Sequence, residues 1–72
     1  MEYLVVKFAE QRGVVVNGAP GAWTTNEILQ LQAGTYIITL APPMDFGPPE
    51  IKVVLRNTAV VITKIILFAK VL

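Results

Sequence analysis

Chemistry has few places to start in this chain. It contains no cysteine and no histidine. Disulfides, thiolate nucleophiles, Cys- or His-ligated metals and imidazole acid–base work are therefore out of reach. What remains is carboxylates, lysines, hydroxyls and aromatics. Asp45 and Glu50 are the closest pair of carboxylates. Hydrolysis of a glycosidic bond needs two carboxyls about 5–10 Å apart in a cleft, one of them desolvated. A proline loop on so short a chain offers little cleft, so both acids read as solvated surface groups. No Asp/Asn-rich loop suits calcium, and no phosphate loop or nucleophile elbow is present.

Binding residues are better represented than catalytic ones. Trp23 sits in a Pro/Gly stretch, where its ring is either a stacking platform for a ligand or a cover over one end of a core. Met44 and Phe46 lie among prolines. They could present an apolar contact, or Phe46 could plug the core at a strand corner. Lys52 and Arg56 share one side of an extended strand, about 13 Å apart at about 3.3 Å per residue. Such spacing could follow phosphates, but no aromatic residues interleave as a nucleic-acid surface would require. The plainer reading is that these cations guard a sheet edge.

The elements that must position these residues are short and β-like. Residues 3–8 are β-prone, 10–13 are a polar break, and Val14, Val15 and Val16 form a β-branched run. Asn17-Gly18 predicts a type I′ hairpin turn, because both residues tolerate positive φ. Residues 19–26 read as a loop around Pro20 and Gly21. Residues 28–32 alternate, with Leu29 and Leu31 on one side and Gln30 and Gln32 on the other. After a turn at Ala33-Gly34, Tyr36, Ile38 and Leu40 point inward. Residues 42–49 hold four of the five prolines and read as a stiff loop. Residues 50–56 alternate again, with Ile51, Val53 and Leu55 inward.

Residues 59–72 are ambiguous. Seven of these fourteen residues are β-branched, and a helix would place Val60 and Leu67 inside its polar arc. The segment reads as strand to about Phe68, leaving 69–72 as a tail. As a strand it is apolar on both faces, so one face should meet something outside the chain's own core. As a helix it would be too short to cross a membrane, which takes about 20 apolar residues. The N-terminus lacks the pattern of a signal peptide.

Six strands with frequent turns predict one all-β domain over residues 1–72, a small antiparallel β-sandwich, with an OB- or SH3-like barrel as the alternative. Apolar residues make up 54% of the chain and charged ones only 15%, with mean hydropathy +0.61 and net charge +1. The charged share is well under the usual ~25%. That deficit points to a protein partner or self-association, and the near-neutral balance gives no global pull towards nucleic acid.

The stretch from Asn17-Gly18 through Ala22-Trp23-Thr24-Thr25 and Ile28–Leu31 to Ala33-Gly34-Thr35-Tyr36 resembles a PEGA-type domain, a small bacterial β-sandwich module. Asp45-Phe46-Gly47-Pro48 is similar to that family's Gly-Tyr-x-Pro corner. Ala22 stands where the family has glycine, Thr25 where it has proline, and the motif that names the family is not present near Glu10-Gln11-Arg12-Gly13. The resemblance implies a non-catalytic accessory module of larger, often envelope-associated proteins, with no cofactor and no catalytic residues to carry over. Three functions follow as expectations. The first is an interaction or structural module, the second a glycan or cell-wall binder using Trp23, and the third a small nucleic-acid-binding barrel using Lys52 and Arg56. An enzyme is the least supported class.

Overall fold

The computed structural model describes residues 1–58 and 62–71, without the side chain of Ala22. The chain is all-β. Its strands are β1 Glu2–Lys7, β2 Gly13–Val16, β3 Ala19–Thr24, β4 Ile28–Leu31, β5 Gly34–Leu40, β6 Phe46–Gly47, β7 Ile51–Leu55, β8 Lys64–Leu67 and β9 Ala69–Lys70. They form a three-stranded sheet ordered β4-β1-β8, a four-stranded sheet ordered β3-β2-β5-β7, and a two-stranded ribbon β6-β9.

The two larger sheets share one core. Leu4, Val6, Leu29, Leu31 and Ile66 enter it from the first; Val14, Val16, Ile38, Leu40, Val53 and Leu55 enter from the second. Period-two alternation in each strand sends these residues inward. The ribbon closes one end. There Phe46 packs edge-on between Phe8 and Phe68, with ring centroids 6.3 and 5.6 Å away, a favoured aromatic geometry.

Local sequence explains most of the turns. Asn17 and Gly18 take φ of 51° and 79°, the positive values a type I′ turn needs. Asn17 also ties the hairpin to β5, since its side-chain oxygen accepts from the Ile37 N–H at 2.8 Å and its own N–H donates to the Ile37 carbonyl at 2.9 Å. Asn26, at φ 67°, turns the chain from one sheet to the other. Its side chain bonds the N–H and C=O of Phe8, and so stands in for a strand partner beyond the end of β1.

Three features differ from the sequence expectation. The segment after Asn17-Gly18 is strand β3 rather than a loop. Pro20 is tolerated there because β3 is the outer strand of its sheet and a missing donor is harmless at an edge. The sandwich is also not wholly antiparallel, since β1 and β8 run parallel, with Val5 beside Ile65 and Lys7 beside Leu67. The proline loop contains a short strand, β6, paired to the C-terminal β9. Residues 59–61 and 72 of the last apolar run lie outside the described residues.

Candidate functional site

Two features stand out from the scaffold: an apolar outer sheet face and an ionic ring at the aromatic end.

The outer face belongs to β4-β1-β8. Register places Ile28 beside Val5 and Val5 beside Ile65, so one apolar row crosses all three strands. Directly paired residues point to the same side of a sheet, so this row faces away from Leu4, Leu29, Val6 and Ile66. Ile28 is 51% exposed, Ile65 59% and Leu67 67%. Lys7 lies beside Leu67 and is the charge carried on this face by β1. The two-faced C-terminal strand inferred from sequence is thus real. Ile66 and Phe68 fill the core while Ile65 and Leu67 face water.

The ring joins Glu10, Arg12, Asp45 and Lys70. Arg12 grips Asp45 through both guanidinium nitrogens, at 3.0 and 3.2 Å, and reaches Glu10 at 3.0 Å. Lys70 closes the ring by bonding Asp45 at 2.9 Å and Glu10. Arg12 also donates to the carbonyls of Ala41 and Pro43, at 3.1 and 3.0 Å. Its guanidinium lies 5.3 Å from the centroid of the Phe8 ring and the Lys70 ammonium 5.9 Å from it, both within cation–π range. The ring therefore sits on the aromatic cluster and fastens three segments far apart in sequence: the β1–β2 connection, the proline loop and the C-terminal strand.

Charge pairing sets the acid–base state of the ring. Hydrogen bonds from Arg12, then from Lys70, hold the Asp45 carboxyl well below the usual carboxylate range. Those from Lys70, then Arg12, lower Glu10. The same contacts raise Arg12, chiefly through Asp45, and Lys70, chiefly through Glu10. Two cations and two carboxylates neutralise one another, and a carboxylate held ionised is a poor general acid. Asp45 is thus not the freely solvated acid expected from sequence; it is the hub of a structural network.

Beneath the ring, Thr25 is fully buried. Its hydroxyl accepts from the Arg12 N–H and donates to the Glu10 carbonyl, both at 2.8 Å. The Thr25 N–H in turn donates to the Arg12 carbonyl at 2.9 Å. This shapes the backbone that presents both ring residues. A second polar tie holds the start of β1. Glu2 accepts from the Thr58 N–H and hydroxyl, at 2.9 and 2.7 Å, which lowers its carboxyl below the ordinary value.

The residues singled out from sequence do not converge. Trp23 lies on β3 and Lys52 on β7, the two opposite edges of the four-stranded sheet. Trp23 is half-buried and packs against the core. Its indole lies over Gly21, where an added Cβ would come within 2.6 Å of the ring. Met44 is exposed, whereas Phe46 is in the core and cannot present a contact surface. Lys52, within edge strand β7, and Arg56, just past its end, are solvent-exposed, where they suit edge protection. The described residues form no pocket, and no group of three or more His, Cys, Asp or Glu gathers to hold a metal. No helix is long and apolar enough to cross a membrane.

Sequence reading missed the ring because its members are 33 and 60 residues apart across the Arg12–Asp45 and Glu10–Lys70 pairs. One local signal was available: Glu10 and Arg12 are two apart, the spacing that puts side chains on one side of extended backbone. The chain matches no protein-family model, no curated protein and no solved structure.

Proposed function

We propose that this chain is a non-catalytic interaction module that docks through the outer face of β4-β1-β8. The carrying observation is the Ile28–Val5–Ile65 row with Leu67 beside it, in which Ile28, Ile65 and Leu67 are exposed where a solitary domain would place polar side chains. The low charged fraction agrees with this reading. So does the PEGA-type resemblance, since such modules serve as accessories of larger proteins. Rigidity agrees as well, because the ionic ring and the Thr25 bonds fix the end of the sandwich and leave no titratable group unpaired within the ring.

The test is photo-crosslinking in the native cell, with a benzophenone side chain placed at Ile28, at Ile65 or at Lys52 on the opposite sheet. The reading expects discrete macromolecular adducts from Ile28 and Ile65 and none from Lys52. Absence of adducts from both outer-face positions overturns it.

A further inference from the structure

We infer that the open edge of β8, beside this surface, pairs with a second copy of the chain, joined edge to edge through antiparallel pairing of β8 with its symmetry mate. The inference goes beyond the interaction reading above, since it concerns the edge of the sheet and leaves the outer face uncovered.

Four strands end the two large sheets: β4, β8, β3 and β7. Three are poor templates for a further strand. β3 carries Pro20 and a register shift against β2 between Gly13 and Val15, β7 is flanked by Pro49 and Arg56 with Lys52 pointing out, and β4 follows Glu27 and carries Gln30 on its exposed face. Proline, irregular register and charge all discourage edge pairing. β8 has an uninterrupted apolar Ile65-Ile66-Leu67 segment, and the described residues place no strand on its far side.

Backbone direction supplies the register. The Phe68 N–H donates to the Lys7 carbonyl at 2.9 Å, so Phe68 points its backbone groups at β1. N–H and C=O of successive strand residues point to alternate sides. Ile66 therefore also faces β1, and the N–H and C=O of Ile65 and Leu67 face the open edge. An antiparallel pair centred on Ile66 sets Ile65 opposite Leu67 of the second copy, and Leu67 opposite Ile65. All four residues then exchange N–H···O=C bonds. Ile66 meets its own mate in the non-hydrogen-bonded position. Lys64 falls opposite Phe68 of the second copy rather than opposite another lysine, so no like charges face each other.

The two-fold operation closes the assembly as a dimer and leaves β8 with no free edge. It also joins the two apolar rows side by side, with Ile65 of one copy against Leu67 of the other. The strand is short, so affinity belongs to the weak, concentration-dependent class, with a dissociation constant of about micromolar or above.

The test is sedimentation equilibrium of the full chain over about a hundredfold range of concentration, combined with residue-resolved amide exchange. Ile65→Pro removes an outward donor while sparing every β1–β8 hydrogen bond. Leu67→Lys adds charge at the same edge and covers the case in which the proline variant fails to fold. Ile28→Lys alters the outer face on the far side of β1. The inference expects the wild-type mass to rise to twice the monomer. It also expects exchange at Ile65 and Leu67 to slow at least about tenfold as concentration rises, since that exchange follows the free-edge population. Both edge variants should stay monomeric and Ile28→Lys should still dimerise. A dimer lost in Ile28→Lys but kept in the edge variants overturns the edge pairing and leaves the interaction reading in place. A monomer at every concentration, with fast exchange at Ile65 and Leu67, overturns self-pairing. If crosslinks from Ile65 to another protein are then seen, the interaction reading survives without it.

Discussion

Thr25→Val is the sharpest probe of how this small domain is held together. Valine matches threonine in shape and β-branching, so no cavity opens at a position with 0% exposure. What disappears is one hydroxyl. With it go the acceptor for the Arg12 N–H and the donor to the Glu10 carbonyl, each at 2.8 Å. Leaving a buried polar group unsatisfied costs about 1–3 kcal/mol. The Glu10 carbonyl keeps a long contact with the Asn26 amide at 3.5 Å, so its share lies at the low end. The sum is about 2–4 kcal/mol, and the melting temperature should fall by roughly 4–8 °C for each of these kilocalories. Thr25→Ser keeps the hydroxyl and loses a methyl, which costs about 1 kcal/mol. Urea unfolding monitored by Trp23 fluorescence should therefore rank wild type above serine and serine above valine, with unchanged slope. A valine variant as stable as wild type, or one more stable than serine, would refute the claim that this hydroxyl organises the turn.

The remaining predictions concern the ring, the edge tryptophan and the aromatic end. Glu10 and Asp45 have folded-state values below their ordinary 4.5 and 3.8, so the stability they contribute is present above those values and is lost as pH falls below about 4. Lys70, raised from 10.5, contributes below that pH and loses its share as pH rises past its folded value. Melting temperature followed against pH should thus drop on the acid side, and Asp45→Asn should flatten that limb; equal acid limbs in the two proteins would remove the ring from the account. Gly21→Ala should destabilise by about 1–3 kcal/mol through overpacking, because the new methyl would lie 2.6 Å from the Trp23 ring. A red-shifted Trp23 emission would report the displaced indole, and an unshifted spectrum with unchanged stability counts against that packing. Phe68→Ala should cost about 3–5 kcal/mol. That approaches the whole stability of a chain this short, at about 0.05–0.15 kcal/mol per residue, so circular dichroism at 25 °C should show it largely unfolded; a cooperative melt near the wild-type temperature contradicts the placement.

The ionic ring and the apolar outer face are separate features of one small scaffold. Low charge content leaves few ion pairs available, and the described network places four charged side chains over one aromatic cluster. That concentration fixes the C-terminal segment, whose β9 strand is only two residues long. With β9 held, β8 is presented in constant register beside β1. The ring and the apolar outer face are joined through the chain, since Lys70 lies three residues beyond Leu67.

What the sequence by itself determined is local. Alternation in residues 28–32 and 50–56 set which side chains enter the core, because a strand has a period of two wherever it is placed. Asn17-Gly18 set a hairpin, because only residues tolerant of positive φ close a type I′ turn. The two apolar faces of the last strand were visible in its composition. Tertiary structure decided the rest. It made residues 19–24 a strand, since a proline is acceptable at an edge and edges exist only once sheets are assembled. It brought β8 alongside β1 in parallel, a pairing that depends on how the chain returns rather than on either strand's residues. It also drew Glu10, Arg12, Asp45 and Lys70 into one ring, because charges find partners through space and no local pattern encodes a contact across 60 positions.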